Sequence, residues 1–317
     1  MHSLPKRNFL KWTLAATATA ALAACGGGDD DPIPPTPDIV GVLQADPQFS
    51  VLVEAVVAAG LVDTLKGPGP FTVFAPTNAA FVSLLAELKV TKDQLFADKA
   101  LLTRVLTYHV LAAKVPAASV PLGKTITSVE TGVFKIESSG GLKITDESNR
   151  VSNITATDVA ASNGVIHVID KVLLPSDNDI VAMAQSLAPE FSILVEAVVA
   201  ADLVATLQGP GPFTVFAPTN AAFAAALTEL GITKDQLFAD TALLTKVLTY
   251  HVVAARVLKA EVPIGVPITS VQGETFTIDA SLKITDQRSR MAGIIVTDVF
   301  ASNGVIHAID KVILPAA

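Results

Sequence analysis

The residues of this chain whose types could do chemistry are five histidines, a single cysteine and two recurring pairs of aspartates. Four of the histidines fall in matching places, His109 with His167 and His251 with His307, and Asp170 and Asp310 lie close behind the second member of each pair. An imidazole beside a carboxylate can hold a metal or move a proton. The spacing argues against both, because no second His or Cys lies within four residues of any of them, as a compact zinc motif requires. His109 falls on the apolar side of a helical run, and strand alternation puts His167 on one face with Val165 and Ile169. The reading is a buried, neutral imidazole hydrogen-bonded to backbone or hydroxyl groups. Asp158 and Asp170, repeated as Asp298 and Asp310, read as acceptors for backbone amides at turns and strand ends. No nucleophile elbow, HExxH, P-loop or dinucleotide fingerprint is present. The "GPGPF" stretches lack the amide donors of a phosphate loop, because proline has no N–H. The chain is therefore read as a non-enzyme with no catalytic residues, metal or cofactor.

Cys25 closes "LAAC", after a basic patch (Lys6, Arg7, Lys11) and a weakly apolar run. Residues 1–24 form an export signal, too short in its apolar part to span a bilayer. "LAAC" resembles a lipobox, which makes Cys25 the lipidated new N-terminus; the alternative is cleavage at a nearby alanine with a free thiol. With one cysteine there is no intramolecular disulfide. "KRNFLK" differs by one residue from the twin-arginine pattern, Lys6 standing for the first arginine, so general export is preferred over that route. Gly26 is not the aspartate of an inner-membrane retention signal, which favours the outer membrane, on either side, in a cell with two membranes and the cell surface otherwise. Residues 25–37, "CGGGDDDPIPPTP", form a flexible tether stiffening toward its prolines. Loss of residues 1–24 takes the formal net charge from −8 to −11, and no Lys/Arg cluster offers a nucleic-acid footprint.

The elements that must position these residues occur twice. "GPGPFTVFAPTNAAF" runs from Gly67 to Phe81 and again from Gly209 to Phe223, "TYHV" returns at 249–252, and "ASNGVIH" at 301–307. The offset is 142 residues, then 140, and roughly three positions in four match between Phe49 and Val129. That period is right for two domains, placed at 38–175 and 179–315 and joined by "PSDND". In each, Asp46-Pro47 starts a helix with Phe49, Leu52, Val53, Val56, Val57 and Leu61 at helical spacing. "GPGP" stops it, "FTVFAP" is a strand, Thr77 caps a second helix and Thr91 with Gln94 makes a capping box. A further helix starts near Asp98 and carries Leu102, Val105, Leu106 and His109. "KTITSV", "FKIES", "LKITD", "ITATDVAA" and "VIHVIDKVLL" are strands, with "SNG" a hairpin turn. The fold class is α+β: an antiparallel sandwich or wedge of strands packed with several helices, "FTVFAP" joining the later sheet.

Three ordered motifs, "FTVFAPTNAAF", the Tyr-His pairs at 108–109 and 250–251, and "NGVIHVIDKVLLP" with "NGVIHAIDKVILP", make both copies resemble the fasciclin domain. The resemblance implies secreted or surface-held proteins of adhesion and matrix contact, and offers Tyr108, His109, Tyr250 and His251 as partner-binding candidates. The function expected is a lipid-anchored envelope protein whose modules contact a protein or polysaccharide. A small-ligand carrier or hydrolytic enzyme using a cleft, and a purely structural envelope component, are the alternatives.

Overall fold

The computed structural model describes residues 35–316; the signal segment, most of the tether and the lipidation site Cys25 lie outside them. The first module runs α1 (Ile39–Ala45), α2 (Ser50–Ala58), α3 (Val62–Lys66), β1 (Phe71–Pro76), α4 (Asn78–Leu88), α5 (Lys92–Ala97), α6 (Lys99–Tyr108) and six strands. These are β2 (Val110–Leu111), β3 (Ile126–Thr127), β4 (Val133–Glu137), β5 (Lys143–Thr145), β6 (Val151–Ala161) and β7 (Gly164–Ile169). The second module repeats the order as α7 (Ile180–Ser186), α8 (Ser192–Ala200), α9 (Val204–Leu207), β8 (Phe213–Pro218), α10 (Asn220–Leu230), α11 (Lys234–Ala239) and α12 (Thr241–Tyr250). Its strands continue with β9 (Val252–Val253), β10 (Ile268–Thr269), β11 (Thr275–Ile278), β12 (Lys283–Thr285), β13 (Met291–Ala301) and β14 (Gly304–Ile309). Among the described residues no single helix is long and apolar enough to cross a membrane.

Local chemistry sets the helix starts. Asp38, Thr77, Thr91 and Asp98 each accept a backbone N–H one turn in, and Thr91 and Gln94 complete a reciprocal capping box. Asp46 caps only a short 3₁₀ turn, Pro47–Phe49, before α2 begins. The buried face of α2 is Leu52, Ala55 and Val56, whereas Val57 is 58% exposed. Leu52, Ala55 and Val56 fall within about 100° of one another around the axis, and Val57 lies about 150° from the middle of that stripe.

Each module has one seven-stranded sheet, ordered β2-β1-β7-β6-β5-β4-β3 in the first and equivalently in the second. It is mixed, not wholly antiparallel: β1 runs parallel to β7 over six residue pairs, from Phe71↔Gly164 to Pro76↔Ile169. A parallel pair needs a long crossover, and α4–α6 with the meander β2–β6 supply one between the first strand and the last. β1 is sandwiched, so its alternating side chains all need apolar surroundings. Val73 and Ala75 face the helices α1–α6, while Phe74 enters a second cluster with Tyr108, Phe134, Ile136 and Ile144. There Phe134 meets Phe74 and Tyr108 edge-on, and Phe276 does the same with Phe216 and Tyr250. The turn Ser162–Asn163 joins β6 to β7 with Ala161 opposite Gly164, the hairpin that "SNG" predicts.

Candidate functional site

The Tyr-His pairs lie in the interior. Tyr108, His109, Tyr250 and His251 are 0–2% exposed, so a partner reaches these side chains only by opening a module. His109 Nδ1 donates to the Val105 carbonyl (2.7 Å) and Nε2 accepts from the Leu173 N–H (2.9 Å). A carbonyl only accepts and an amide N–H only donates, so this geometry selects the neutral ring protonated on Nδ1. His251 repeats it with Val247 and Ile313. Burial pushes both imidazoles down from 6.5 to about 4. His167 and His307 use the opposite tautomer, Nε2 donating to Val115 and Val257, and Nδ1 accepting from the N–H groups of Asp158 and Asp298. All four rings are therefore staples between backbone segments, each with both nitrogens engaged. His109 and His167 share no hydrogen-bond partner, and among the described residues no three His, Cys, Asp or Glu side chains gather as a metal ligand set.

The signature blocks hold each other. Asn163 Oδ1 accepts from Ile39 N–H (3.0 Å) while its Nδ2 donates to Leu65 and Gly67 carbonyls (both 2.8 Å), tying the β6–β7 turn to α1 and to the start of "GPGP". Phe71 N–H donates to the Asn163 carbonyl (3.0 Å). A Cβ added at Gly69 would collide with that carbonyl, and one at Gly164 with the carbonyl of Phe71, which is why glycine stands at both places. Asn303, Gly211 and Gly304 repeat the arrangement. The aspartates act in the same way: Asp158 accepts from Ala117 N–H (2.9 Å), and Asp170 from Asn153 N–H (2.7 Å).

What the duplication does not repeat is the seam between modules. Phe300 of β13 is wholly buried with Leu258 and Val305 against Val133 of β4. Beside it Lys135 Nζ meets Asp298 Oδ2 at 2.8 Å, the side chains 9% and 3% exposed. Asn149 brackets Phe300 from the other module, Oδ1 accepting its N–H (2.7 Å) and Nδ2 donating to its carbonyl (3.0 Å). Thr125 Oγ1 donates to Glu261 (3.0 Å), and Arg256 lies 4.0 Å from Glu147, whose carboxyl burial raises to about 7. The linker is held too, Arg104 binding Asp177 and the Ser176 carbonyl.

Most of the residues that make the seam are ones at which the copies diverge, although Asp298 and Val305 keep their counterparts Asp158 and Val165. Val133, Lys135, Glu147 and Asn149 correspond to Thr275, Thr277, Gln287 and Ser289; Leu258, Glu261 and Phe300 correspond to Pro116, Ser119 and Ala160. The motif-led reading missed them. Their signal was available as differences between two otherwise matching segments.

Comparison with known proteins follows the same division. A fasciclin domain family model matches residues 47–175 and 189–315. A twin-arginine translocation signal model matches residues 3–23, so the chain carries an export signal of the kind that Lys6 alone argues against. The chain is 48% identical over 138 residues to protein sll1483 of Synechocystis, covering 43% of this chain and 73% of that one. It is 31% identical over 253 residues to the rabbit transforming growth factor-beta-induced protein ig-h3, covering 79% of this chain and 35% of that protein. The chain thus spans about a third of the ig-h3 length. A solved FAS1 domain pair from the insect cell adhesion molecule fasciclin I aligns at 16% identity with a TM-score of 0.42, covering 82% of this chain and 95% of that one.

Proposed function

This chain belongs to the fasciclin domain family, and from that premise we propose that it is an exported adhesion or binding protein of the cell envelope, anchored through a lipid on Cys25. Its partner, a protein or a polysaccharide, meets one rigid two-module body and touches neither Tyr-His pair. The observation that carries this reading is the seam: a buried ion pair, a buried phenylalanine and paired backbone hydrogen bonds join the modules. A body of fixed shape suits recognition of an extended target, because little conformational freedom is lost on contact. The second module also exposes Met291, Ile295 and Val296 on β13, each about half accessible, where the first has Val151, Thr155 and Ala156. Exposed apolar side chains on a strand are candidates for the contact itself.

Mass spectrometry of the mature N-terminus and protease shaving of intact cells test the two halves of this proposal. The expected result is an acylated Cys25 and loss of the protein from shaved cells. An unmodified cysteine removes the anchor, and full protection from protease removes the outward-facing contact. Cells carrying the I295T/V296A variant, which copies the first module, should attach less well to coated surfaces that hold wild-type cells. Equal attachment would move the contact away from β13.

A further inference from the structure

The second module contains a hollow of about 220 Å³ under α10 and α12, walled by Phe223, Ala226, Leu230, Leu244 and Val247, with Arg288 as the one charged residue of its lining. Two substitutions between the copies account for its character. At the place of Ala226 the first module has Leu84, a fully buried core side chain, and at the place of Arg288 it has Ser148. Leucine to alanine removes three carbons from a packed interior, and neighbouring side chains close such a space only in part. The volume exceeds the ~150 Å³ apolar cavity that admits a benzene ring, and at about 30 Å³ per water-sized group it takes roughly seven such groups.

Arg288 is held by its backbone and its inner nitrogen. Its N–H donates to Asp286 Oδ1 (2.9 Å) and Nε to the Pro315 carbonyl (2.9 Å). Nη1 and Nη2 have no hydrogen-bond partner among the described residues. Nearby, Lys246 Nζ donates to the Ala316 carbonyl (2.9 Å), and Glu274 is engaged by Ala316 N–H (2.6 Å), with Lys246 at 4.0 Å. Arg288 is thus the one charged group in the lining of an apolar space, with the Glu274 carboxylate in its field, and a cation at the edge of an apolar hollow suits an anionic head on an apolar tail.

We propose that this hollow is a binding site for a medium-chain carboxylate, the tail lying against Ala226 and the head paired with the Arg288 guanidinium. The site belongs to the second module only and is independent of the surface contact proposed above.

Calorimetric titration of the exported chain with octanoate, octanol and octylamine tests it. One octanoate should bind per chain, at least tenfold more tightly than octylamine. Arg288→Ser should weaken octanoate about tenfold while leaving octanol unchanged, and Ala226→Leu should abolish binding of both. Both substitutions copy the first module, and thermal melting checks that each variant folds. No saturation by octanoate at millimolar concentration overturns the proposal. So does octanoate binding that survives Ala226→Leu in a folded protein, and octylamine binding as tight as octanoate overturns the role of Arg288.

Discussion

Replacing Phe300 by alanine gives the second module the residue that the first has at Ala160, and so tests whether the seam makes two domains into one. Phe300 is 0% exposed and packs with Leu258 and Val305 of its own module and Val133 of the other. Truncation of a buried phenylalanine costs about 3–5 kcal/mol through lost transfer energy and the cavity left behind. The flanking hydrogen bonds between Asn149 and the backbone of residue 300 do not involve the ring, so the substitution isolates packing. Equilibrium unfolding in urea, followed by circular dichroism and by proteolysis of each module, is the assay. Wild type should unfold in one transition. F300A should lose stability of that order and split into two transitions, because the modules no longer share the packed contact. A loss below about 1 kcal/mol with a single unchanged transition would refute the claim that this contact couples them.

Three further substitutions probe charge at the seam. Lys135→Thr, which copies Thr277, leaves Asp298 buried without its cation and should cost about 3–5 kcal/mol, and adding Asp298→Asn should recover part of it; urea midpoints of the single and double variants decide. Glu147→Gln copies Gln287. Burial raises the Glu147 carboxyl from 4.5 to about 7 against the pull of the Ser176 amide and Arg256, so the fold favours its protonated form. Its stabilising contribution is complete below pH 4.5 and lost as pH rises through 7. The stability of E147Q relative to wild type should therefore climb by ~3 kcal/mol between about pH 4 and pH 8, and a flat difference in denaturation curves would contradict the sign.

Much of the module was legible in the sequence because its signals are local. The repeat, the Thr91–Gln94 capping box, the Asp98 helix start and the Ser162–Asn163 hairpin each depend on residues a few positions apart. The direction of β1 was not, since nothing in "FTVFAP" says whether its neighbour runs with or against it; the partner, β7, lies almost a hundred residues on. Val57 shows the opposite limit: its type fits an apolar stripe, but the nine-residue helix turns it outward. The Tyr-His pairs were chemically suggestive and sterically interior, a distinction carried by Val133, Leu173 and other residues distant in sequence. At the seam the informative comparison was internal, Ala160 against Phe300 and Thr277 against Lys135.

The head-to-tail way in which the modules meet has a consequence for assembly. A heterologous contact offers an open mating face at each end, and if both faces matched, chains would stack without limit into a fibre. Here the outward face of the first module has Ala160 and Pro116 in place of Phe300 and Leu258. That of the second has Thr277 and Ser289 in place of Lys135 and Asn149. Neither end therefore carries the side chains that make the seam, so the contact that joins the two modules is not offered again to a further copy.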